Sequence, residues 1–214
     1  MTRILADTDI LFETLDWTLD RYQQALEAGV LTERDRVELI RGKLIYKMAS
    51  SELHSAMVEF LYTYFSERLG LTTYRYRSEN PVPIPDHSQP EPDFIIADKL
   101  PGKLQSRHPL PAEVNLVIEV AKTSLKFDRN VKAELYAEAG ISEYWIINLK
   151  ARKIEVYTDP SIVEGRYNST RTYDLSQSFT SNFLGQVAVA DFPLDEVNFD
   201  NESSRNTVIK ITQP

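Results

Sequence analysis

The chain has 214 residues, 42% hydrophobic and 26% charged, which suits one folded domain with a full core rather than a disordered or fibrous protein. It contains no cysteine, which excludes a disulfide framework, a thiolate zinc site and a cysteine nucleophile. The formal net charge of −8 argues against a sequence-independent nucleic-acid coat protein, which would be basic. The charge is uneven: residues 99–132 hold seven lysines and arginines against three acids, a net +4, leaving −12 on the remainder. That stretch reads either as a basic face for a polyanion or as a solvated loop. No apolar run approaches the ~20 residues of a membrane span, and MTRILADTDILFETLD carries acids where a signal peptide would be apolar. A cytoplasmic protein is the expectation.

In chain order, Thr18 is a helix N-cap, with Leu19, Tyr22 and Leu26 on one face and Gly29 as the stop. VELIRGKLIYKM follows as a β-hairpin turning at Arg41-Gly42, with Val37, Leu39, Leu44 and Tyr46 as its apolar positions. Glu38 points to the opposite face, as an exposed strand residue or as a site acid. Ser50 or Ser51 caps a second helix carrying Leu53, Met57, Phe60, Leu61, Tyr64 and Phe65 at helical spacing, ended by Gly70. His54 lies in its first turn, where the positive end of the helix dipole opposes protonation.

The proline-rich TTYRYRSENPVPIP suits an edge strand. A short strand, Phe94 to Ala97, comes after Asp93, and residues 98–114 read as a long surface loop. Asn115 to Leu149 then reads as strand, loop, helix, strand, with Asp128 as helix N-cap, Val131, Leu135, Tyr136 and Ala139 on the buried side, and Gly140 as the stop. Lys153 to Tyr157 pairs back on the last strand. Beyond Pro160 only short β-like pieces are visible, near residues 170–175 and 186–190. Residues 1–200 form one domain, and NESSRNTVIKITQP, residues 201–214, reads as a tail.

The chemistry concentrates in two carboxylates. Glu119 sits inside an apolar strand, an expensive place for a charge, and Asp93 opens another. If the two strands are neighbours, the acids converge, and a hard divalent cation such as Mg²⁺ would relieve their repulsion. Such an ion polarises a phosphodiester and activates water. Strand period places Val117, Glu119 and Ala121 on one face, so no lysine follows the acid two residues on. Lys122 points the other way, while Lys132 on the following helix can reach back. A salt bridge and backbone N–H groups would satisfy the same acids without any catalysis.

The motifs VELIRGKLIYKM with LHSAMVEFL after it, EPDFIIAD, and LVIEVAKTSLKFDRNVKAELYAEAGISEYWIINL occur in an order and spacing that resembles the Uma-two family, remote relatives of the PD-(D/E)XK nucleases, over roughly residues 15 to 190. The resemblance implies an α/β (α+β) protein with a restriction-endonuclease-like core: a mixed β-sheet flanked by helices, with an N-terminal helix and β-hairpin added. It implies hydrolysis of DNA phosphodiester bonds with Mg²⁺ or Mn²⁺. Asp93 matches the aspartate of the PD element, Glu119 the acid of the second element, and Glu38 a further metal or water ligand. Ala121 stands where the parent nucleases carry lysine, and Lys132 fits the position the family uses instead, with Lys122 as the substitute. His54, Ser124, Asp128 and Tyr136 match family positions in supporting roles, His54 being able to face the site. Cutting both strands of a duplex calls for two sites, hence a homodimer. The alternative is a non-catalytic module on the same fold that binds nucleic acid or protein, which Ala121 and the acidic charge favour.

Overall fold

The computed structural model describes residues 15–100 and 107–197 in full and, before them, the backbone of two short strands, β1 (Arg3–Leu5) and β2 (Leu11–Glu13), which pair antiparallel. The tail expected over residues 201–214, part of the polar loop at 101–106 and half of the N-terminal stretch read for a leader lie outside the described residues.

Helix α1 (Leu19–Glu27) starts where the Thr18 hydroxyl accepts the Arg21 N–H. It buries Tyr22 and Ala25, and Leu26, expected on the same face, is turned to solvent. Strands β3 (Val37–Ile40) and β4 (Lys43–Tyr46) form the expected hairpin. Its turn needs left-handed backbone at Arg41 (φ 48°) and Gly42 (φ 75°), and a Cβ on Gly42 would lie 2.7 Å from Cβ of Asp16. Helix α2 (Glu52–Leu69) is capped by Ser51, whose hydroxyl accepts the His54 N–H, and Gly70 ends it.

The main sheet has six strands in the order β10-β9-β8-β7-β6-β5. They are β5 (Tyr74–Arg77), β6 (Phe94–Asp98), β7 (Val114–Ala121), β8 (Glu143–Asn148), β9 (Lys153–Ser161) and β10 (Arg166–Asp174). Only β7 and β8 pair in parallel, so a helical crossover joins them. Both strands are covered on two faces, which explains their unbroken apolar runs. On one face Met57, Leu61 and Phe65 of α2 pack on Phe94, Ile118, Val120 and Trp145, together with Phe179 of β11 (Ser178–Ser181) and Val187 of β12 (Gly185–Ala188). On the other, Leu135, Tyr136 and Ala137 pack on Ile95, Val117, Tyr144 and Ile146.

Two expectations need correction. The stretch after Pro160 holds β10, nine residues long and paired along β9. Its sequence RYNSTRTYD is polar because it is an exposed sheet edge, where charge discourages further pairing. Asp128 does not cap the crossover helix. The helix starts at α3 (Leu125–Phe127), passes through a π-helical turn, Asp128–Lys132, and continues as α4 (Ala133–Glu138). The Asp128 carboxylate accepts from Ser124 Oγ (2.5 Å) instead of bonding backbone N–H groups, and the Ala133 N–H reaches back five residues to the Asp128 carbonyl. This wider turn is uncommon and occurs mostly at functional positions. It leaves Val131 half-buried and turns Lys132 inward.

Candidate active site

The antiparallel register of β6 and β7 pairs Phe94 with Ile118. Continued one step, it sets Asp93 opposite Glu119, on the face that carries the crossover helix. Asp93 Oδ2 accepts the Val120 N–H at 2.7 Å, which ties the two acids to one place. This place is the end of two interior strands, not an outer edge of the sheet.

Glu119 is 2% exposed, and its Oε1 accepts from Lys132 Nζ at 2.9 Å and from the Tyr136 hydroxyl at 2.8 Å. Lys132 and Tyr136 stand four residues apart, so one helical face delivers both. Lys132, 6% exposed, also lies 3.6 Å from Glu38 Oε1. Glu38 is 5% exposed and its Oε2 accepts the Glu91 N–H at 2.9 Å; the strand face opposite Val37 and Leu39 therefore turns into the protein rather than to water. His54, at the start of α2, places Nε2 3.0 Å from Asp93 Oδ2. Its Nδ1 is buried without a hydrogen-bond partner among the described residues.

Glu38, His54, Asp93, Glu119 and Lys132 form the floor of a cleft of about 690 Å³ between the β3–β4 hairpin, the start of α2, and the α3 and π-turn segment. Lys122 lines its wall. Glu38, Asp93 and Glu119 do not close on one point: among the described residues, no three His, Asp or Glu side chains gather as a ligand set. The Lys132 ammonium stands between Glu38 and Glu119 instead.

Charge follows from this packing. Burial, opposed by Lys132 and reinforced by Asp93, Asp128 and Glu38, holds Glu119 well above the usual carboxylate range. Burial also lifts Asp93, but the His54 hydrogen bond and charge, Lys132 and the Val120 N–H outweigh it and leave Asp93 below its ordinary value. Burial lifts Asp128 to about 6, with Lys132 and Ser124 pulling against it. Burial would depress Lys132, yet the four surrounding carboxylates raise it, so the ammonium stays charged. His54 is raised as well: burial disfavours its charge, but Asp93, at hydrogen-bond distance, with Glu79 and Asp128, outweighs it.

Two contacts were not legible in the pattern. The Tyr136 bond to Glu119 and the His54 bond to Asp93 join residues 17 and 39 positions apart on separate elements, and both follow from how those elements pack. Helical spacing from Lys132 was the one signal pointing to Tyr136.

The family model described as "Uma2: Putative restriction endonuclease" matches residues 19–191. The fold is similar to that of a solved protein from Anabaena variabilis titled a "putative nuclease belonging to DUF820", with a TM-score of 0.65 and 18% identity over 82% of this chain and 97% of that one. No curated protein matches the sequence. With most of its length matched by that model and its mixed sheet shared with that structure, the chain belongs to the Uma2 family.

Proposed function

We propose that the protein is a metal-dependent endonuclease that hydrolyses DNA phosphodiester bonds. Family membership supports the nuclease reading. The observation that carries the chemistry is Asp93 set opposite Glu119 at the floor of an open cleft, with a buried lysine on the glutamate. Four carboxylates, Glu38, Asp93, Glu119 and Asp128, act there on Lys132, and Asp93 and Asp128 act also on His54. That excess of negative charge, presented on oxygen donors, suits Mg²⁺ or Mn²⁺, which take one or two carboxylates and complete their shells with water and phosphate oxygens. The hydrogen bonds described use Oδ2 of Asp93 and Oε1 of Glu119, so each acid keeps a second oxygen outside them. Asp93 and Glu119 would hold the ion, while Glu38 faces Lys132. When bound, it supplies polarisation of the phosphoryl oxygen and a lowered pKa for its water.

The chain's own groups do the rest. Lys132 places a fixed positive charge beside the position where negative charge develops on a phosphate held over Glu119. Tyr136 and Lys132 fix the Glu119 rotamer, and His54 and the Val120 N–H fix Asp93. A duplex substrate would need two such sites, and therefore a homodimer.

Glu119→Gln keeps the shape and removes the charge. It should abolish Mn²⁺-dependent cutting of DNA while the circular dichroism spectrum is unchanged; cutting at the wild-type rate would sink the proposal. One observation favours a second reading, a non-catalytic interaction module: Lys132 and Tyr136 already satisfy Glu119, and Ala121 stands in place of the parent lysine. Calorimetric titration with Mn²⁺ separates the two readings. Heat that vanishes in Asp93→Asn supports the enzyme, and no heat from the wild type supports the module.

A further inference from the structure

The cleft carries a second feature that the hydrolytic chemistry does not use. Tyr46, at the end of β4, is 81% exposed, and Met48 two residues on is 60% exposed. Both line the same lip of the cleft, and Ile45, Phe127 and Val131 continue an apolar surface from them into its wall. Single exposed apolar side chains are ordinary, but an aromatic ring and a methionine together over a charged floor are not scattered. The Tyr46 ring makes no ring contact among the described residues. The lip itself is held in place: the Lys47 N–H donates to the Arg36 carbonyl (2.8 Å), Lys47 pairs with Glu91, and Thr123 Oγ1 lies 3.8 Å from Met48 Sδ across the cleft.

Electrostatics narrows the occupant. Six carboxylates line the cleft against five lysines and arginines, on a chain of net charge −8. Such a surface offers few cationic side chains free of acids for phosphate neutralisation, which draws its affinity from many lysine and arginine contacts, so binding needs a further source. Base stacking on an aromatic ring adds affinity beside phosphate contacts and tolerates any sequence. It requires a base face that is free of its neighbours.

We propose that Tyr46, backed by Met48, stacks on an unpaired base next to the phosphate at the Asp93–Glu119 floor, so that the substrate is single-stranded or locally unpaired DNA. This rests on the nuclease reading above and narrows its substrate. A strand with unpaired bases needs one site, not two.

The test uses the full chain carrying Glu119→Gln, to keep the substrate intact, with Mg²⁺ present. Binding is read by anisotropy of a labelled oligothymidine strand and of a duplex of random sequence, and stacking by quenching of a fluorescent purine analogue. The single strand should bind at least about tenfold more tightly than the duplex. Adding Tyr46→Ala should weaken single-strand binding about tenfold and remove the quenching, and Tyr46→Phe should retain both. Equal affinity for duplex and single strand, or no change in Tyr46→Ala, overturns the proposal. If Tyr46→Ala in the otherwise wild-type chain cuts duplex DNA at the wild-type rate, stacking falls while the nuclease stands. If no nucleic acid is bound or cut by the wild type, both fall. A Tyr46→Ala chain that sediments as a smaller species with unchanged oligonucleotide binding assigns the lip to a second copy and also overturns the proposal.

Discussion

Lys132 is the residue on which the floor of the cleft balances. It meets Glu119 at 2.9 Å in a nearly dry setting and faces three further acids. Lys132→Met should therefore cost about 3–5 kcal/mol, because it leaves a buried carboxylate without its cation. The double variant Lys132→Met with Glu119→Gln should recover part of that loss in urea unfolding, since the charge of Glu119 is then removed while Glu38 stays buried without its cation. Equal destabilisation of single and double variants would show that packing alone sets the cost. The acid could be picked out in the sequence because a glutamate among Leu116, Val117, Ile118 and Val120 is anomalous. Ala121 left Lys132 and Lys122 both open, and the family resemblance favoured Lys132. Glu38 was ambiguous for a physical reason: strand alternation tells which face a side chain leaves by, and not whether water or protein lies on that face.

At the scale of elements, the π-turn is what aims the crossover helix. Arg129, on that turn, donates to both carboxylate oxygens of Glu155 on β9, at 2.8 and 2.6 Å, and the Tyr144 hydroxyl donates to the Asp128 carbonyl at 3.2 Å. Burial would raise Glu155, but Arg129, Asn148 and Tyr157 hold it below its ordinary value. The folded state therefore binds that proton less tightly than the unfolded chain. The stabilisation is present above the ordinary carboxylate pKa of about 4.3 and is lost as pH falls through the depressed folded value. Arg129→Ala should cost about 2 kcal/mol at neutral pH. Its deficit against the wild type should shrink in acid, as measured by chemical unfolding at pH 7 and pH 3; a deficit independent of pH would assign the effect to helix propensity. The hairpin is equally specific. Gly42 donates to the His87 carbonyl at 2.7 Å and accepts the Trp17 N–H at 2.9 Å, with left-handed φ. Gly42→Ala should lower stability by about 2 kcal/mol, through strain and the contact with Asp16. The turn was legible as Arg-Gly between apolar runs. The π-turn was not, because Val131, Leu135 and Tyr136 keep ordinary helical spacing in the sequence and no residue type marks a widened turn.

For the whole molecule, charge sets the terms of any encounter with DNA. An acidic body with a mixed cleft makes few phosphate contacts, so oligonucleotide affinity should fall less than about tenfold between 50 and 200 mM salt, against the 10³–10⁵ expected for six to ten contacts. A steeper fall would show that Lys122 and Lys126, which line the cleft, make phosphate contacts together with a further basic surface. Among the described residues no helix is long and apolar enough to cross a membrane. The sequence by itself determined the first two capped helices, the hairpin and the pair of acids, because period, caps and turn residues are local and a carboxylate in an apolar strand is conspicuous; the mixed sheet was expected only from the family resemblance. Only the tertiary structure decided that Asp93 faces Glu119 across β6 and β7, that Lys132 stands between Glu119 and Glu38, that His54 holds Asp93, and that Tyr46 lies open at the lip. Each of these depends on strand register and on the packing of elements far apart in the chain, and no local pattern encodes such distances.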